Sequence, residues 1–285
     1  MKKKAFTLIE LLVVISIIAL LMAVLMPALG KARKQAKSTV CQTRLKQWGV
    51  IWNVYTGKYG GDFPSAYDMR QRYNINWPRG AWIIPLRHEW ETNTDILRCP
   101  EAETPNEDGA YGDLDEAYWM GNTNVDEEED LEVQEYASYG MNCWAFDEPP
   151  GAPSQVYQGR EQKYYWRNIT RVSRANMVPL FADAVWRGGG PHYQAGETAI
   201  QPTPYNGSQA PQEVYNFNVG YEMAHFTVRR HPKGTNLLFM DGSVNKLSIK
   251  DLYHQKWHRR FDLHGRYSEE DNEIDWPEWI EDTTN

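Results

Sequence analysis

The sequence predicts an α+β protein. One long N-terminal α-helix lies half in a membrane and half against a head built on an antiparallel β-sheet with long irregular loops. Three observations predict it. From Phe6 to Met26 every residue is hydrophobic except Thr7, Glu10 and Ser16, and Pro27 and Gly30 follow. From Cys41 to Tyr55 the residues Cys41, Leu45, Trp48, Trp52 and Tyr55 return in steps of four and three. Beyond Asp62 the pattern changes to short β-like runs cut by Gly, Pro and Asn.

The first element is set by length and polarity. About 20 apolar residues are what a helix needs to cross the ~30 Å hydrocarbon core. No loop or open strand crosses there, because its backbone amides would go unpaired in lipid. Residues 6–29 therefore read as a transmembrane helix behind a short basic leader, residues 1–5, with Lys2, Lys3 and Lys4. Glu10 is the anomaly in this segment. A carboxylate inside a span costs a few kcal/mol and needs a partner or a purpose. The simplest reading has it near the helix end, reaching back to the headgroups.

The string Lys-Ala-Phe-Thr-Leu-Ile-Glu-Leu-Leu-Val-Val-Ile, residues 4–15, resembles the signal of type IV pilins and type II secretion pseudopilins. That resemblance implies cleavage between Ala5 and Phe6 by a prepilin peptidase at the cytoplasmic face, with methylation of the new N-terminal amine. An ordinary secretory signal is cut after its apolar region, at a small-x-small site, and no such site follows here. The resemblance makes Glu10 the family's assembly glutamate, pairing with the N-terminal amine of a neighbouring subunit. Buried charges satisfied only in register would reject mismatched assemblies. Pro27 falls where these proteins carry a helix-bending proline. Ala5 departs from the usual glycine. Basic residues flank both sides of the span, so the orientation comes from the signal class, with the head outside the cytoplasmic membrane, in the periplasm or at the cell surface.

Residues 30–60 read as the continuation of the helix, packed on the head through the Cys41–Tyr55 stripe, the spacing of one helix face on a core. Gly57, Gly60, Gly61 and then Pro64 supply the stop. Residues 61–285 form the predicted extracytoplasmic head. Its clearest strand candidates are Trp82–Leu86, Val178–Ala182 and Thr235–Met240. Long irregular stretches lie between them, and no fixed-period repeat is evident. The acidic tail from Ser268 holds Trp276, Trp279 and Ile280, which suits docking.

Charge excludes one class of partner. The chain's net −8 hides a basic first 37 residues, with seven Lys/Arg and one Glu, and a remainder of net −14. An acidic head argues against nucleic acid, whose phosphates require clustered Lys and Arg.

Three cysteines, Cys41, Cys99 and Cys143, suit a compartment where disulfides persist, and the odd count leaves one over. Cys41 on the helix and Cys99 in Leu-Arg-Cys-Pro resemble positions often filled in one pilin-like subgroup, which favours a Cys41–Cys99 bridge. Cys99–Cys143 is the rival, and three reduced, buried thiols the third possibility.

The phrase from Arg230 to Val244 reads as a β-hairpin, with Asp241-Gly242 as a two-residue type I′ turn. Phe239 and Val244 are then expected on one face across the strands. His231, nine residues and then Asp241-Gly242 also resemble an H-X9-DG motif found near the C-terminus of a large group of pilin-like proteins. Asp183, His231 and Asp241 are a candidate divalent-metal set if their strands are neighbours. The plainer reading has Asp241 shaping the turn and His231 hydrogen-bonding at a strand start. His254, His258 and His264 read as a solvated face.

Some pseudopilins bind Ca2+ in acidic loops, and the run Asp126–Asp130 has the charge for it. It lacks the alternating spacing of a defined calcium loop. Many of the 12 Trp and 17 Tyr must fill the core, and aromatics filling an irregular core is the plainer reading of them all. Trp77, Trp90, Trp119 and Trp166 sit in apparent loops, where exposed aromatics bind sugars or proteins.

Together these readings give a structural subunit rather than an enzyme. It is processed by prepilin peptidase and assembled with other pilin-like subunits by secretion or pilus machinery. Its large head favours a minor position. The alternative is a membrane-anchored head that recognises glycan or protein. A tethered metal-dependent enzyme is the third reading.

Overall fold

The structure, a computed structural model, describes residues 8–65, 82–87, 94–107, 111–122, 134–147, 160, 162–191, 219–232 and 234–261. Helix α1 runs unbroken from Leu8 to Lys58, with Pro27 inside it. Its 51 residues make it about 77 Å long, at 1.5 Å per residue. It has two characters. Every residue from Leu8 to Ala36 is exposed, and burial begins at Ser38. From there Cys41, Leu45, Trp48, Ile51, Trp52 and Tyr55 face the core, while Lys46 and Lys58 stay outside.

The helix ends as its glycines require. The Gly61 amide donates to the Thr56 carbonyl at 2.7 Å, and Gly60 takes φ 64°. That is a Schellman cap, in which a left-handed residue lets the chain fold back onto the last turn's carbonyls.

The head is organised around a five-stranded sheet of order β6-β4-β5-β7-β8. Its strands are β4 (Tyr139–Asn142), β5 (Pro179–Asp183), β6 (Gly188–Gly189), β7 (Thr235–Phe239) and β8 (Val244–Leu247). Pairing is antiparallel across β4–β5, β5–β7 and β7–β8, and β6 joins β4 in parallel. A smaller sheet has the order β1-β2-β3, from Thr104–Pro105, Glu116–Asn122 and Gln134–Ala137. Ser138 alone separates β3 from β4, so it is the joint where the chain passes between the sheets.

The second half of α1 lies across β7, β8 and β5. An aromatic cluster fixes the contact. Trp48 meets Trp82 edge-on at 5.2 Å and Phe181 at 5.5 Å, and Trp52 meets Phe63 at 4.9 Å. The Trp48 indole N–H donates to the Ile96 carbonyl at 2.8 Å, so the buried ring leaves no donor bare. Helix and sheet come closest at Gly49. A Cβ there would stand 3.0 Å from Leu238 Cδ1. Gly49→Val is therefore expected to cost about 1–3 kcal/mol by overpacking. A shift in the urea midpoint of the full chain in detergent, followed by tryptophan fluorescence, measures it.

Two of the three predicted strands form, as β5 and β7. The third does not: Trp82–Leu86 is the N-cap and body of a short helix, α2 (Ile83–Leu86). An unbroken apolar run reads equally as buried strand or buried helix, and Pro85 has no N–H for a ladder. The β7–β8 hairpin forms, but with a different turn. The Gly242 amide donates to the Phe239 carbonyl at 2.9 Å and the Phe239 amide to the Ser243 carbonyl at 2.9 Å. Gly242 has φ 80°, whereas the only described non-glycine residues with positive φ are Arg167 and Arg174. Asp241 therefore lacks the positive φ that a type I′ turn needs at both central positions. The connection is a three-residue loop, Met240–Gly242, with the glycine left-handed. The extra residue moves the register, so Val244 pairs with Leu238 and not with Phe239. A last short helix, α3 (Ile249–Tyr253), starts on a capping box between Ser248 and Asp251.

Candidate functional site

Two regions carry chemistry that packing alone does not explain. The first is the free half of α1. Its side chains are apolar on every face and all exposed, from Leu8 through Leu29, where a soluble surface helix would have a polar stripe. Such a surface belongs in lipid or against other helices. Glu10 is the one acidic residue in this stretch, within the first described turn of α1. Ala5 and Phe6 lie outside the described residues.

The second region is a buried cluster where α1 meets the head. It is made by Cys41, Cys99, Asp183 and His231, and their Sγ, carboxylate and ring-nitrogen atoms all lie within 4.8 Å of one another. Each comes from a different part of the fold. Cys41 is the first apolar residue of the buried stripe on α1. Cys99 follows the 3₁₀ turn Thr94–Leu97 and is held by its backbone amide, which donates to Ser138 Oγ. Asp183 ends β5, opposite Tyr139. His231 bridges to Gly234 just before β7.

The contacts run in a chain. The Cys41 thiol donates to Asp183 Oδ1 at 3.3 Å. Asp183 Oδ2 lies 3.3 Å from His231 Nε2, and that nitrogen lies 3.2 Å from Cys99 Sγ. The Asn236 amide donates to Asp183 Oδ2 at 2.9 Å. Arg230 stands behind, its Nη1 donating to the Ser138 carbonyl at 2.8 Å. None of the four residues is more than 2% exposed.

Burial and neighbours set the charges. Burial alone would lower the His231 pKa, but the Asp183 carboxylate outweighs it and holds the ring up to about 10. Burial alone would raise Asp183, yet His231 and then Arg230 pull it below the ordinary carboxylate value. Burial, with Cys99 and Asp183 alongside, pushes the Cys41 thiol well up. For Cys99, burial is opposed by hydrogen bonds from Cys41 and His231 and by the His231 charge, which bring it down to about 7. Neighbours thus favour charge on Asp183 and His231 and, of the two thiols, on Cys99 rather than Cys41.

The structure brings together only part of the metal set considered from sequence. Asp183 and His231 meet, but Asp241 is exposed at the hairpin tip. There its Oδ1 accepts from the Ser243 amide at 2.8 Å and hydroxyl at 2.6 Å. That is the turn-shaping role, and the nine-residue spacing puts β7 between His231 and the tip. All three cysteines are free thiols. Cys41 and Cys99 are cluster neighbours, whereas Cys143 sits just past β4, 3.8 Å from the Met141 carbonyl. The three cysteines are the reduced, buried thiols of the third possibility, and reading Cys41 and Cys99 as a disulfide or as plain buried thiols hid them as ligand candidates. The signal available was the pair of thiols taken together with Asp183 and His231.

Other expectations change too. His258 is fully buried rather than solvated, its ring tilted against Trp144 at 4.8 Å. Trp166 is core, 1% exposed, and Trp119 on β2 is 38% exposed with the Arg187 guanidinium 5.8 Å from its ring. Trp77, Trp90, His264, the Asp126–Asp130 run, Trp276 and Trp279 lie outside the described residues.

Residues 1–26 match the family model described as the prokaryotic N-terminal methylation motif. The chain therefore carries a prepilin-type signal, and among the described residues α1 is the one helix long and apolar enough to cross a membrane. The motif implies processing by a prepilin peptidase and assembly with pilin-like subunits. No curated protein and no solved structure matches the chain.

Proposed function

We propose that the chain is a minor structural subunit of a type II secretion or type IV pilus-like filament. A prepilin peptidase cuts between Ala5 and Phe6 and the new amine is methylated. Packing of the freed helices then builds the filament, and the head covers its surface outside the cytoplasmic membrane. The observation that carries this reading is the exposed apolar half of α1 within a motif match that ends at residue 26. A simple anchor needs only hydrophobic length. This segment adds Glu10, a carboxylate that in this reading pairs with the amine of a neighbour's Phe6.

The head is a passive cover in this reading. Its aromatic residues support that role, since eight of the twelve tryptophans are described and six of those are core. Intact-mass and N-terminal peptide spectrometry on the protein from its native membrane tests the proposal. A mature chain beginning at N-methylated Phe6 is expected. An intact Met1, in cells with an active peptidase, would leave a head on a plain anchor.

A further inference from the structure

We infer that Cys41, Cys99, Asp183 and His231 form a structural Zn2+ site that ties the long helix to the head. The donor set comes first. Two thiols, an imidazole nitrogen and a carboxylate oxygen are the ligands that zinc takes in four-coordinate protein sites, and two sulfurs select it over calcium or magnesium. The geometry follows. Zinc–ligand bonds of about 2.0–2.3 Å set tetrahedral edges of about 3.3–3.8 Å. The Asp183–His231 and Cys41–Asp183 contacts of 3.3 Å and the Cys99–His231 contact of 3.2 Å already lie near that length. With all four groups inside 4.8 Å, modest side-chain rotation closes the remaining edges.

Charge and burial point the same way. Two thiolates and a carboxylate around Zn2+ leave one negative charge, and buried Arg230 stands next to the site to offset it. The protein packs two thiols, a carboxyl and an imidazole against one another at no more than 2% exposure. Apolar groups of the same volume would fill that space at less cost, so the cluster calls for a ligand. Two outer-shell contacts are formed, the Asn236 amide on Asp183 and Ser138 Oγ on the Cys99 backbone amide.

Four protein ligands and almost no exposure leave no open position for substrate, so the site is structural and not catalytic. It joins residues far apart in sequence on α1, the loop before Glu101, the end of β5 and the entry to β7. It holds whether or not the chain enters a filament.

The test uses the full chain, purified in detergent with any histidine tag removed. Elemental analysis should find about one zinc per chain, lost in Cys99→Ser and His231→Gln and kept in Cys143→Ser. Exchange with Co2+ should give the intense visible bands of a tetrahedral site and a thiolate charge-transfer band, both absent from Cys99→Ser. If either variant fails to fold, the cobalt spectrum of the unmodified chain still decides. A folded chain that takes up neither zinc nor cobalt would overturn the inference. So would zinc retained in folded Cys99→Ser and His231→Gln, or a Cys41–Cys99 disulfide in the metal-free native chain.

Discussion

Glu222→Gln is expected to destabilise the head by about 3–5 kcal/mol, because it takes a charged partner from a buried guanidinium. Arg160 and Glu222 are 2% and 3% exposed and form an ion pair through Nη2 and Oε2. Arg160 also donates to the Gly190 carbonyl at 3.3 Å and stands 5.3 Å from the Trp144 ring. None of these contacts replaces the carboxylate's charge. The double variant Arg160→Met, Glu222→Leu removes both ions together and is expected to sit much closer to the native chain. Urea unfolding of the full chain in detergent separates the two. A loss below about 1 kcal/mol in Glu222→Gln would show that water reaches Arg160 and screens it.

The second large effect is on acid stability, and it comes from the same corner of the head. His258 is packed among Trp144 at 4.8 Å, Tyr164 at 5.3 Å and Phe261 at 5.3 Å. Its Nδ1 accepts from the Arg260 amide at 3.3 Å, which fits a neutral ring. Burial first, and the Arg160 charge second, push its pKa down to about 3. The unfolded chain protonates near the ordinary histidine value of about 6.5, so between these limits only the unfolded state holds the proton. Stability contributed by the neutral ring is complete above about pH 6.5 and falls by about 1.4 kcal/mol per unit below it. By pH 3 the loss is on the order of 4 kcal/mol. Asp183 acts in the same direction, but only below about pH 4, as its paired carboxylate is protonated. His258→Phe should flatten the slope between about pH 6.5 and about pH 4, whatever it does to stability at neutral pH. An unchanged slope would assign the acid sensitivity to other groups.

Where local pattern decides structure, the sequence was a good guide. The 41-45-48-52-55 spacing requires one helix face, and that face is buried. Gly60 and Gly61 end the helix because only such residues take the left-handed cap readily. The Val178 and Thr235 runs, short, largely apolar and bounded by polar or turn residues, became central strands. The failures lie where local pattern is silent. Trp82–Leu86 has no alternation to separate strand from helix, and its proline decides the matter only once a ladder is considered. The hairpin loop gained one residue because Met240 was counted as strand, and that moved Val244 opposite Leu238.

The candidate site was the least legible part. Cys41, Cys99, Asp183 and His231 are spread over 190 residues and share no spacing rule. Only the crossing of α1 over β5 and β7 brings them together. His258 was misread for a related reason: the basic residues around it suggest a surface, while its own ring faces inward.

The Cys41–Tyr55 face of α1 also has a mechanical consequence. Because half of the helix belongs to the head's core, a pull along the membrane half is not resisted by a hinge or a loop. It loads about 21 Å of interlocked side chains in parallel, from Cys41 through Gly49 against Leu238 to Tyr55. Contacts strained in shear yield together rather than one at a time, so helix and head extract as one rigid body or not at all.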